Sequence, residues 1–494
     1  MKNKLLINLI IGISILFLSV IAGFIVAKTG ILLLAVLLIL ITLAVLGAYI
    51  FPNPFIGFLL IIFFLPFERV PTYSLSGIDI RINILIGFLT LFAWLGAMMF
   101  NSKKWKVEPN AIALPLGLFF IALLLSITQA IALSRSIEVL IFVLFTVALS
   151  IMTVNMISSV SNLRKTILVI LMSATFVGIF GLFQFAGDIM GLPRSITLLK
   201  FGYTSDVFGF PRIHAFSMEP LYFANYLLIP LSLVMAYFFG KVDVIKRWMI
   251  VGILTILLVN FVLTLSRGGY LGLIVTSLLF ILLYSRQVFT WRNLAVLAVI
   301  FVVFIGVMFA LSKGKSNSVS SFINQATGQD AKVGSESIQG RLMSYDAALK
   351  IYKDHPILGI GLGNYGPETA NYSPIPPKGG WPVVNNEYFE ILAESGTIGG
   401  ITFGLLLLVV IVRSLIALKH AKDPFLKATM FGLFAAFMGI LTQYNFFSTL
   451  YIIHIWILIG LLIGVQNIIF KNDTFRHALK IKCLKARMSN KIYL

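Results

Sequence analysis

Apolar runs of about 20 residues recur from one end of this chain to the other, and they decide which solvent it folds in. Of its 494 residues, 59% are hydrophobic and only 11% are charged, where a soluble domain carries about 25% charged residues. A soluble core of this length could not hide so much apolar surface, so the bilayer must surround most of it. In lipid the backbone has to satisfy its own hydrogen bonds, and these runs lack the two-residue alternation of barrel strands. The expected fold class is therefore an all-α polytopic membrane protein. It should have about 12–14 transmembrane helices and one large, partly helical extracytoplasmic loop.

Spans are expected at 5–26, 30–51, 54–67, 80–100, 111–133, 137–158, 166–187, 216–240, 248–265, 269–284, 292–311, 398–417, 426–447 and 449–469. The third is short and follows Pro52 and Pro54, so it is tilted, re-entrant or not a span. The apolar run after Met1, Lys2, Asn3 and Lys4 is too long for a signal peptide and reads as an uncleaved first helix. With the N-terminus inside, alternate turns collect the cations. These are Lys103, Lys104 and Lys106; Arg164 and Lys165; Lys241, Lys246 and Arg247; Arg286 and Arg292; and Lys419, Lys422 and Lys427. The tail adds Lys471, Arg476, Lys480, Lys482, Lys485, Arg487 and Lys491, so both termini are expected in the cytoplasm. This placement explains the net charge of +20 without nucleic acid as a partner. Four regions result: a membrane domain at 1–311 that includes an outer segment 188–215, a large extracytoplasmic loop at 312–397, three C-terminal spans within 398–470, and a basic tail at 471–494. Of the 18 acidic residues, all but Glu108, Asp243, Asp423 and Asp473 then fall outside, which suggests a polar site on that face. The one cysteine, Cys483, lies in the tail and offers neither a disulfide framework nor a thiolate metal site.

Several local patterns bear on that site. Thr264, Leu265, Ser266, Arg267, Gly268 and Gly269 sit at an outer junction of two spans. There Arg267 either snorkels to headgroups or binds an anion, with the glycines admitting a phosphate to a helix start. Arg341 is expected just before an amphipathic helix whose stripe of Leu342, Tyr345, Leu349 and Tyr352 packs on the membrane domain and which ends at Pro356. Gly359, Gly361 and Gly363 superficially match a phosphate loop, but no strand precedes them, and a tight turn is the better reading. Residues 312–321 read as a flexible start to the loop, and 373–382 as an irregular crossing. Asn385 or Asn386 can cap a helix that Glu387 opens and Gly396 can end, with Glu387, Glu390 and Glu394 on one face, either solvated or turned to a site. Arg212, His214 and Glu219 meet the membrane together; Glu219 enters a span, where a carboxylate is costly and functional by default. Asp79 with Arg81, and Arg135 with Glu138, read as local pairs.

In order, spacing and setting, four of these segments resemble the O-antigen ligase and polymerase superfamily of bacterial membrane glycosyltransferases. They are Thr264 to Gly268, Gly340 with Arg341, Pro356 to Gly363, and Asn386 to Gly399. The resemblance is sharp from about 205 to 400 and hydropathic elsewhere. It implies a donor glycan on polyprenyl diphosphate, transfer to a glycan or lipid hydroxyl, and no metal or other cofactor. It also implies arginines that stabilise the departing diphosphate: Arg267 and Arg341, joined by Arg212. Ligases commonly carry a histidine where this chain has Asn385, which cannot act as a base. Glu219 and His214 are then the candidate bases, with Asn385, Asn386 and Glu387 as acceptor or structural support. That departure, with the Glu-Pro pair at 219–220, favours a polymerase of lipid-linked repeat units building a surface polysaccharide. Ligase-type transfer to a lipid or protein is the alternative. A chain-length regulator could bind a polymerase. A lipid-glycan flippase or transporter would call for internal repeats, and none is visible.

Overall fold

In a computed structural model the chain is described at 46–69, 72–75, 78–100, 108–205, 210–311, 333–373, 382–448 and 450–490. The first expected span, nearly all of the second, the cations at 103–106, the loop start at 312–321 and most of 373–382 lie outside the described residues. The described chain is all-α apart from one small hairpin. It begins with α1 (Pro54–Phe64), β1 (Thr72–Leu75), β2 (Ile78–Arg81) and α2 (Ile82–Phe100). Next come α3 (Ala113–Ile127), α4 (Leu133–Met156), α5 (Val160–Ile189), α6 (Arg194–Thr197) and a 3-10 turn at Phe201–Tyr203. α7 (Pro220–Gly240), α8 (Arg247–Leu263), α9 (Arg267–Val288) and α10 (Trp291–Leu311) follow. α11 (Val333–Asp354) and α12 (Tyr365–Tyr372) precede the closing helices α13 (Glu387–His420), α14 (Pro424–Gln443) and α15 (Ile453–Asn490).

Eight of the described helices are long and apolar enough to cross a bilayer. The third expected span is not among them: α1 has 11 residues and rises about 16 Å, roughly half of a hydrocarbon core. The chain then turns into the antiparallel hairpin, pairing Thr72 with Arg81 and Leu75 with Ile78. Hydropathy had merged the end of that hairpin with the fourth span.

Two units make up the chain, one comprising 1–57 and 88–105, the other the remainder. In the first, Gly57 lies against Ile50 and Thr90. In the second, α7, α14 and α15 are central, with 83%, 83% and 89% of their apolar windows buried, against 28% for α9. Their close approach has a local cause. A Cβ on Gly272 of α9 would come within 2.7 Å of Gly439 O of α14, so small residues let these two backbones touch. Buried polar side chains add directional ties: Asn225 Nδ2 donates to Gln443 Oε1 at 2.7 Å, and the Tyr237 and Thr429 hydroxyls lie 2.8 Å apart.

The large loop builds a small core of its own from Ala347, Ala348, Ile351, Ile360, Tyr365, Val384 and Ala393. This corrects the expected stripe in part: Leu342 and Leu349 are 60% and 38% exposed and the alanine face of α11 is buried, while Tyr345 packs on that core. The helix also starts earlier than expected, so Arg341 lies within it rather than before it.

Candidate active site

The reversal between α8 and α9 is short enough to require Leu265, buried, at φ 48, a left-handed backbone that a branched side chain rarely adopts. Ser266 then caps α9, its hydroxyl accepting from Gly269 N at 3.2 Å. The turn aims its carbonyls at Arg212, whose Nη2 donates to Leu265 O at 3.2 Å and whose guanidinium lies 5.5 Å from the centre of the Tyr203 ring. Arg267 projects from the first position of α9. Burial lowers the pKa of Arg212, Tyr203 opposes that, and the charge of Arg267 adds to the lowering. Arg341 is lowered by burial as well, with Tyr345 opposing and Arg267 contributing. Arg267 thus lies within electrostatic reach of both Arg212 and Arg341, which come from two other segments. Among the described residues no carboxylate stands within ion-pair distance of Arg267 or Arg341. Such a cluster has the charge to hold a polyanion.

The expected part of Gly268 and Gly269 is corrected. Both are buried, and a Cβ would meet Phe446 at 2.9 Å from Gly268 and Ala224 at 2.8 Å from Gly269. They let α9 pack against its neighbours, so protein fills the space a phosphate would need there.

Glu219 is exposed at the N-cap of α7 and lies close enough to Tyr203 for its charge to act on the phenol. Burial, followed by the charge of Glu219, pushes the Tyr203 phenol up to about 12, so it remains a donor. Lys200 is lowered by burial, with Glu219 opposing and Arg69 adding to the effect. Arg69 and Lys200 were not singled out in the sequence. Arg69 follows the doubtful third run directly, and that position was its available signal.

His214 is placed differently from a base that meets substrate. It is fully buried; Lys200 N donates to its Nε2 at 3.3 Å, and Arg69 Nη1 lies 3.4 Å from the same atom. Burial first, then Arg69 and Lys200, take its pKa down to about 3. The backbone N–H groups of His214 and Ala215 both donate to the buried Gln184 Oε1, at 3.0 and 2.9 Å, which fixes Ala215 at φ 47. The imidazole supports the segment 198–219 from within.

The Asn385 backbone joins the arginine cluster through Tyr345, one turn along from Arg341. The Tyr345 hydroxyl donates to Asn445 O at 2.7 Å, with Asn385 O 3.2 Å away. Asn385 has φ 59, a left-handed conformation that asparagine tolerates better than most residues. Asn386 is the helix cap, accepting from Phe389 N at 3.1 Å. Glu387 is buried and lines, with Arg135, Glu390 and Glu394, a separate cavity of about 50 Å³. Glu394 clasps the glycine-rich turn by accepting from Gly363 N at 2.8 Å and Tyr365 N at 3.0 Å. The turn therefore binds a carboxylate of its own chain. The local pair of Arg135 with Glu138 is present at 3.1 Å.

Beside the arginines, Glu219 forms part of the wall of a cavity of about 460 Å³ that also exposes Glu68, Arg81, Glu138 and Tyr222.

A sequence-family profile described as O-antigen ligase matches residues 252–404, from α8 to the start of the spanning part of α13. Residues 252–404 are thus similar to the O-antigen ligase family. That stretch contains Arg267, Arg341, Asn385 and Asn386, so the resemblance read from the four motifs stands. A ComP-specific O-oligosaccharyltransferase of Acinetobacter baylyi (strain ATCC 33305 / BD413 / ADP1) is 27% identical over 214 residues, which cover 42% of this chain and 36% of that protein. The chain thus matches about a third of that relative's length.

Proposed function

We propose that this protein transfers a glycan from a polyprenyl-diphosphate carrier to a separate acceptor hydroxyl, in the manner of an O-antigen ligase. The setting is the outer leaflet of a bacterial cytoplasmic membrane, with both termini inside. The carrying observation is the convergence of Arg212, Arg267 and Arg341. The acceptor oxygen bonds to the anomeric carbon as the carbon–oxygen bond to the diphosphate breaks. The electron pair stays on the departing diphosphate, and guanidinium forks neutralise the charge as it grows. Glu219, beside both Arg212 and the cavity, takes the acceptor proton. The protein needs no metal or cofactor for this step.

The likeness to a ligase profile and to an oligosaccharyltransferase favours transfer to a separate acceptor over the polymerisation that the sequence ranked first. No observation speaks specifically for a polymerase or for a bound chain-length regulator. Purified protein in lipid nanodiscs, given polyprenyl-diphosphate-linked repeat units and candidate acceptors, should yield a single transferred product. A ladder of lengths would move the reading to polymerase, and absence of any transfer or diphosphate release would overturn it.

A further inference from the structure

We infer that the cavity of about 460 Å³ beside Glu219 is a subsite for an uncharged hexose of the acceptor, with Glu68 as its principal hydrogen-bond acceptor. The inference deepens the transfer reading and rests on it for the role of acceptor. The volume falls in the range of small-ligand pockets. Its walls combine the carboxylates of Glu68, Glu138 and Glu219 with the aromatic rings of Phe142, Tyr222 and Tyr451. Rings of that kind can face the C–H surface of a pyranose while carboxylates accept from its hydroxyls. Three carboxylates against one guanidinium, that of Arg81, disfavour a diphosphate here, so the cavity and the arginine cluster sort the two halves of the reaction by charge.

Glu68 is the residue that a purely structural account leaves unexplained. It is 8% exposed, and a carboxylate in the interior of a membrane protein is costly. Its Oε1 lies 3.4 Å from His454 Nδ1, and its Oε2 lies 3.5 Å from Met218 N. The first contact is not a hydrogen bond and the second is at the long limit of one, which leaves lone pairs available to hydroxyl donors. Behind it the orientation is fixed: His454 Nε2 lies 2.7 Å from Asn225 Oδ1, and Asn225 Nδ2 donates to Gln443 Oε1 at 2.7 Å. This relay ties α7, α14 and α15 together without needing Glu68. The carboxylate is its terminus in the cavity.

The test uses the full-length protein in lipid nanodiscs and two probes. Saturation-transfer NMR with methyl glucoside, galactoside and mannoside reads the cavity, and phosphorus NMR with inorganic pyrophosphate reads the arginines. At least one hexoside should bind the wild type. Glu68→Gln, and Thr146→Phe, which fills the cavity from α4 without touching the relay, should each weaken it at least about tenfold. Glu68→Asp should fall between, and pyrophosphate binding should be unchanged in all three. Should Glu68→Gln not fold, Thr146→Phe decides. No hexoside signal in the wild type, undiminished signal in the variants, or hexoside and pyrophosphate binding declining together would each overturn the inference. Failure of the wild type to bind pyrophosphate, with hexosides still bound, would instead sink the transfer reading and leave the subsite standing.

Discussion

Arg267 and Arg341 are the side chains on which the proposed chemistry turns, and each has a separable role to measure. Removing a group that stabilises developing charge in a desolvated site costs about 10²–10³ in rate. Arg267→Ala and Arg341→Ala should therefore lower transfer by at least that much while membrane insertion, read by fractionation, stays normal. Arg267→Lys should recover little, because an ammonium lacks the planar fork that meets two phosphate oxygens. Normal turnover in both alanine variants would remove the arginines from the mechanism. Glu219→Gln should lower kcat more than it raises the donor KM; a change confined to donor KM would make Glu219 a binding residue. His214 makes a stability prediction with a definite sign. Its folded pKa of about 3 lies below the ordinary 6.5, so the unfolded chain binds more protons between those values. Stability is then lost as pH falls from 6.5 towards 3. Thermal melts across that range should show the loss, and His214→Gln, which keeps an acceptor for Lys200 N, should flatten the slope.

At the scale of elements, the site is assembled by turns rather than by helix faces. The left-handed Leu265 lets α9 start immediately after α8, which carries Arg267 to the rim. The large loop is fastened by a backbone clasp between the segments around Gly359 and Gly396, at φ 69 and 63, where Ile360 N donates to Ala393 O at 3.1 Å and Gly361 N to Glu394 O at 2.9 Å. A Cβ on Gly396 would strike Ile357 O, and its φ is unfavourable for alanine. Gly396→Ala should destabilise the loop by about 1–3 kcal/mol. The readout is faster protease cleavage near 356–366 while the transmembrane helices remain protected; unchanged cleavage would show that the clasp does not govern the loop.

For the whole molecule the decisive quantity is orientation. In the second unit, one end carries Arg212, Glu219, Arg267 and Arg341, and the other carries Arg164, stacked on Phe425 at 4.3 Å, with Lys419 and Lys422 on the following turn. The proposed orientation has the second end in the cytosol, as the positive-inside rule expects. In a Cys483→Ser background, Ser205→Cys should react with an impermeant maleimide added outside, and Ser159→Cys only after permeabilisation. The reverse pattern would place the arginines in the cytosol and end the outer-leaflet reading. Transfer should also survive EDTA; loss that Mg²⁺ or Mn²⁺ restores would require a metal step.

What the linear sequence determined follows from solvent and spacing. Apolar runs under the hydrogen-bond demands of lipid dictate helices, and four short motifs in order carry the likeness that the profile at 252–404 bears out. The capping role of Asn386 was legible, and Arg267 and Arg341 stood out because each marks a local motif. What only the tertiary structure decided was which side chains meet. Hydropathy could not distinguish the short α1 and its hairpin from a span, because length and not composition separates them. Nor could it show that His214 is sealed among cations, that Glu387 lines a separate cavity with Arg135, or that Gly268 and Gly269 serve packing. Glu68 and His454 lie 386 positions apart, and no local pattern announces their meeting, because such a contact is set by how helices cross and not by any period along one of them.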